Sequence, residues 1–153
     1  MHSSDYHEII SFNPVTSTII MLEINKIRTS FSRLDNWHDI YLYLIEIGKK
    51  LETLPEIFKI EKNLLHGCAS NLWLIHEKKG DLFYFKADSE SQIVKGLVSI
   101  VLAASSGKTA LQIKKIDFQK ILIDFNLKGK LTPSRNNGLF ILISKIKTIS
   151  IEN

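Results

Sequence analysis

The chain carries a single cysteine, Cys68, among 153 residues. That count removes the usual staples of a small fold. No internal disulfide can form, and neither a multi-cysteine metal site nor a self-contained redox pair can be built. The fold must therefore rest on a hydrophobic core. The length allows one domain with a real core and is too short for two comfortable ones. If the thiol works, it works on a sulfur or substrate brought by another molecule. Its context is Leu64-Leu65-His66-Gly67-Cys68-Ala69-Ser70-Asn71-Leu72-Trp73-Leu74. The glycine permits a tight turn, and the apolar, β-prone run that follows predicts a strand. The thiol is thus expected on a loop leading into a sheet.

Charge narrows the partners. Twenty basic residues against sixteen acidic ones leave a net charge of +4, a mild excess on a mixed surface. Without a cluster of Lys or Arg interleaved with aromatics, nucleic-acid binding is not expected. The acids near the N-terminus, Asp5 and Glu8, and the lack of a basic, then apolar, leader argue against a signal or transit peptide. The apolar stretch Leu97–Ala104 is too short to span a bilayer. The expectation is a cytoplasmic protein with no membrane partner.

Periodicity lays out the elements. Residues 1 to about 17 read as loop, and 18–33 as a helix with Ile19, Ile20, Leu22, Ile24, Ile27 and Phe31 on one face. Trp37, Ile40, Tyr41, Leu44, Ile47, Gly48 and Leu51 recur at helical steps, with Asp35 or Asn36 as N-cap and Pro55 beyond the end. Residues 69–76 and 81–87 predict a hairpin closed by Glu77-Lys78-Lys79-Gly80, and a short extended piece before Cys68 is a candidate third strand. Ser89 and Gln92 have the spacing of a capping box ahead of a helix apolar on most sides, ending at Ser105-Ser106-Gly107. Short helices follow near 109–114 and 117–126, and Thr132-Pro133 opens a last one. The fold class is α+β: a small antiparallel sheet packed against several helices.

Gly107-Lys108-Thr109 imitates the end of a phosphate-binding loop, but Leu102 stands where the first glycine is needed and a helix precedes it, so nucleotide binding is rejected. His66, Cys68 and His76 match no ligand spacing, so no metal is expected. His66, two residues from Cys68, is a candidate for lowering the thiol pKa. Arg135 lies in the first turn of the last helix, where a cation opposes the helix dipole; such a position suits a surface arginine or one that holds an anion or thiolate. Asp88 reads as favourable electrostatics at a helix N-terminus, with a binding role as the alternative.

Several segments together resemble the SufE family of sulfur-acceptor proteins. They are Asn36-Trp37 with Tyr41–Lys49, then Gly67-Cys68 with Ser70 and Leu72-Trp73-Leu74, then Ala87-Asp88-Ser89-Glu90 with Ile93–Leu97, and Leu131–Arg135 with Gly138-Leu139. The resemblance covers about residues 30 to 150. Residues 1–28 have no counterpart and form an N-terminal segment of undefined role; residues 29–153 form the SufE-like domain. The resemblance implies that Cys68 accepts sulfur from a persulfide on a pyridoxal-phosphate-dependent cysteine desulfurase of the SufS type. It also implies delivery to an iron–sulfur scaffold such as SufBCD, with Arg135 steadying the thiolate or the partner contact. Such a protein is a sulfur-transfer accessory rather than a stand-alone enzyme and binds no cofactor itself. An adaptor with a structural cysteine, or a sister branch serving another desulfurase, is the alternative. An iron–sulfur scaffold role is disfavoured, because one cysteine supplies too few ligands. A monomer and a homodimer both fit the sequence.

Overall fold

A computed structural model describes residues 25–153. The expected loop over 1–17 and most of the first helical face, Ile19 to Ile24, lie outside these residues. Residues 25–32 are helical (α1), and Phe31 is fully buried. Its ring meets Tyr43 and Phe125 edge-on, at 4.9 and 5.8 Å between centroids, an arrangement the aromatic quadrupole favours.

Helix α2 spans Trp37–Lys49, and the Asn36 side chain caps it by accepting from the Asp39 N–H. Its apolar positions fall at steps of four and three, so Ile40, Leu44 and Ile47 turn inward together. Helix α3, Gln92–Ser105, crosses α2 at backbone contact. A Cβ on Gly48 would overlap the Gln92 carbonyl oxygen, and one on Gly96 would overlap that of Leu44. Each glycine costs about 1 kcal/mol of helix propensity relative to alanine. Alanine would force the helices apart and open the core, a larger loss.

Strands β1 (Leu72–Lys79) and β2 (Leu82–Ser89) pair antiparallel, from Leu72 opposite Ser89 to Lys79 opposite Leu82. The connection is the two-residue turn Gly80-Asp81, tighter than the four-residue loop expected. The polar run Glu77-Lys78-Lys79 stays in β1, which is an edge strand, where charged residues are tolerated within the ladder. At the other end, residues 69–71 belong to the cysteine loop rather than to β1. The third strand is β3, Lys108–Thr109, paired with β2. The piece before Cys68 makes only an isolated bridge, Leu64 to Trp73, with the Leu65 N–H donating to the Leu72 carbonyl.

Ser91, not Ser89, caps α3, accepting from the Val94 N–H. Ser89 ends β2, and its hydroxyl donates to the Asn71 carbonyl, fixing the exit of the cysteine loop. Helices α4 (Ala110–Lys114) and α5 (Phe118–Asp124) follow, with Thr109 and Asp117 as caps. The last helix, α6, runs Pro133–Glu152 behind an N-cap at Thr132. Its buried residues Leu139, Leu142, Ile143, Ile146 and Ile149 join α2, α3 and one sheet face in the main core. The opposite sheet face carries a second, smaller core, where Leu54 and Phe58 cover Ile75 and Tyr84. The architecture is the α+β arrangement expected, a small antiparallel sheet packed with several helices.

Candidate functional site

Strand alternation sorts the predicted residues. Leu72, Leu74, Ala87 and Phe85 point to the helices, while Trp73, Ile75, Asp88 and Tyr84 point away. Just ahead of β1, the chain turns at Gly67, whose φ of 92° suits glycine. The turn docks on α6: a Cβ at Gly67 would meet the Ile141 side chain at 3.0 Å, and Asn137 Nδ2 donates to the Gly67 carbonyl at 3.5 Å. Cys68 is thereby placed half-buried against the first turns of α6, beside Gly138. A Cβ there would lie 3.8 Å from Cys68 Sγ, so glycine keeps the space next to the sulfur open.

That space is a cavity of about 370 Å³ between the cysteine loop, α3 and α6. Its lining is largely apolar, with Leu72, Val94, Leu97, Val98, Leu139 and Leu142. The polar residues that line it are Ser70, Thr132, Ser134 and Arg135. Burial pushes the Cys68 thiol above its ordinary value of 9.0, and neither Arg135 nor His66 offsets that effect. The resting thiol is therefore protonated near neutral pH, with the charged form disfavoured by its apolar surroundings.

Of the predicted residues, the fold brings Cys68 and Arg135 to one cavity, although 67 positions separate them in the chain. The Arg135 guanidinium stands over the ring of Tyr41, 5.1 Å from its centroid. His66 turns away: it is exposed, and Nε2 pairs with Glu61 Oε1 at 3.0 Å. Asp88 sits on the other sheet face and is 1% exposed. Its carboxylate accepts from the Leu54 and Ser89 N–H groups at 3.0 and 2.8 Å and faces Lys59 and Lys95 at 3.5 and 3.4 Å. It belongs to β2 and precedes the helix N-terminus at which it was expected. Among the described residues, no group of three or more His, Cys, Asp or Glu is placed to hold a metal ion. No helix among them is long and apolar enough to cross a membrane. Residue reading did not foresee that Tyr41 carries the Arg135 guanidinium; its spacing four after Trp37 signalled only a helix face.

The comparisons with known proteins agree on the family. The family model described as SufE, an Fe-S metabolism associated domain, matches residues 25–150. An uncharacterized SufE-like protein of Rhizobium meliloti is 41% identical over 132 residues, covering 84% of this chain and 94% of its own length. Another from Rhizobium etli is 38% identical over 138 residues, covering 88% and 93%. A solution structure of a hypothetical protein from Thermus thermophilus shares the fold, with a TM-score of 0.64 at 14% identity over 84% of this chain and 96% of the other. The matched span takes in α2, the cysteine loop, the sheet and the Arg135 turn together, and the chain belongs to the SufE family of Fe–S metabolism.

Proposed function

We propose that this protein is a sulfur acceptor and carrier with Cys68 as its working atom. The observation that carries this reading is the lone thiol lining a largely apolar cavity that one cation, Arg135, also lines. In the proposed step, Cys68 thiolate attacks the outer sulfur of a persulfide held on the cysteine of a pyridoxal-phosphate-dependent desulfurase of the SufS type. A new S–S bond forms on Cys68 as the old one breaks. The electron pair leaves with the partner's sulfur, which departs as a thiolate, and the outer sulfur keeps its proton. The cavity has room for that added sulfur and apolar walls to keep water and reductants from it. The next acceptor is a scaffold of the SufBCD type, which Cys68 persulfide reaches by the same exchange. Because burial disfavours the free thiolate, the partner's docking has to supply part of the activation, with Arg135 as the nearby cation on this chain.

The test is intact mass after mixing the protein with a desulfurase and cysteine. One sulfur atom gained by the wild type and none by Cys68→Ala is expected. No gain with several desulfurases would reject the reading. If Cys68→Ala still stimulated the desulfurase, the adaptor role would replace that of carrier.

A further inference from the structure

Arg135 lines the thiol cavity, yet among the described residues no carboxylate lies within ion-pair distance of its guanidinium. What holds it is an aromatic stack. The guanidinium lies 5.1 Å from the centroid of Tyr41, inside the range where ring quadrupole and cation attract. Tyr41 is itself restrained twice. Its hydroxyl donates to the Lys130 carbonyl at 3.2 Å, bridging α2 to the turn that leads into α6. Its ring receives Trp37 edge-on at 5.5 Å and 73°. Trp37 is 59% exposed, so the stack runs from solvent to Arg135, which lines the cavity.

We infer that Tyr41 is a positioning residue: its ring sets the Arg135 guanidinium at the Cys68 cavity, where the charge acts on an anionic sulfur group, the thiolate that enters or leaves the exchange. This deepens the carrier reading and rests on it for the identity of that group. The physical reason is the chemistry of the support. A carboxylate partner would neutralise the guanidinium toward an anion. A ring face holds the cation and leaves its five N–H donors and its charge available. The stack also limits rotamer freedom in a long side chain that would otherwise sample many positions. Trp37 supports the ring from outside and touches no reacting atom.

The test needs no desulfurase. Cys68 is alkylated with iodoacetamide and with its anionic counterpart iodoacetate, and the ratio of the two rates is measured. The neutral reagent corrects for exposure and thiolate fraction, so the ratio reports positive charge at the cavity. Arg135→Ala and Tyr41→Leu are each expected to lower the iodoacetate-to-iodoacetamide ratio roughly threefold to fivefold, as loss of one partly screened charge near the sulfur would. Tyr41→Phe keeps the ring and is expected to stay within about twofold of wild type. The wild-type ratio should fall with added salt and that of Arg135→Ala much less. A wild-type ratio in Tyr41→Leu alongside a lowered one in Arg135→Ala would overturn the positioning role. So would an unchanged ratio in Arg135→Ala, or a Tyr41→Phe value as low as that of Tyr41→Leu. Circular dichroism and thermal melting of each variant show that the ratio is read on folded protein. Failure here leaves the sulfur-gain assay untouched, and failure of that assay leaves the ratio readable.

Discussion

The two faces of the sheet each take an ionisable group out of water, and they treat it in opposite ways. On the outer face, Asp88 is 1% exposed and fully provided for, with two backbone N–H donors and two ammonium groups around its carboxylate. On the helix face, Cys68 is half-buried against a largely apolar cavity, and burial disfavours its charged form. Asp88 ties three separate pieces together: Leu54 and Lys59 from the segment covering the second core, β2 itself, and Lys95 of α3. Cys68 ties nothing. A buried charge that is matched on all sides is a fastening. A thiol left unmatched in a cavity is, under the proposed carrier role, held ready for a sulfur that comes from outside.

The strongest way to break this comparison is to remove the fastening. Asp88→Ala should cost about 3 kcal/mol, because it leaves two N–H groups and two lysines without their shared acceptor in a nearly dry site. Urea unfolding measures it. Sulfur gain per folded molecule should remain, and a loss of sulfur gain at unchanged stability would instead assign Asp88 a role in binding.

Cys68→Ala should do the reverse, abolishing sulfur gain while changing stability by less than about 1 kcal/mol. The sign of its pH dependence follows from the raised thiol. A group whose folded pKa lies above its unfolded value contributes stability that is fully present below the ordinary thiol value of 9.0 and is lost as pH rises through the folded value. Wild type should therefore weaken slightly more than Cys68→Ala above pH 9.0. Its alkylation by iodoacetamide should keep accelerating past that pH. A plateau below it would contradict the apolar setting.

The smallest effect expected is at the cavity wall. Val94 is half-buried and lines the cavity from α3. Val94→Ser should admit water toward the sulfur, ease the desolvation and raise the iodoacetamide rate at pH 8 about two- to threefold. An unchanged rate would show that Val94 does not set the thiol's environment.

Much of this was legible along the chain. The caps Asn36, Asp117 and Thr132, the α2 face and the apolar α3 are local signals, and local signals survive in a linear text. The misreadings have a common cause. Ser89 has the capping-box spacing with Gln92, but Ser91 is the cap, because the β1 pairing keeps Ser89 in the strand, with its hydroxyl on Asn71. The hairpin turn came out two residues long because edge position, invisible in sequence, let Glu77, Lys78 and Lys79 remain extended. His66 stood two residues from Cys68 in the text, but it pairs instead with Glu61.

The sequence by itself determined that this chain needs a hydrophobic core, that its one thiol sits on a glycine turn ahead of a strand, and that α2 and the last helix start at Asn36 and Thr132. Those are consequences of composition and of contacts within a few residues. Only the tertiary structure decided that Arg135 meets the Cys68 cavity, that it rides on Tyr41, and that Asp88 lies on the opposite sheet face. These depend on helix crossing and on strand register, which couple residues far apart in the chain. A shift of one residue in register would exchange the two faces and everything they carry.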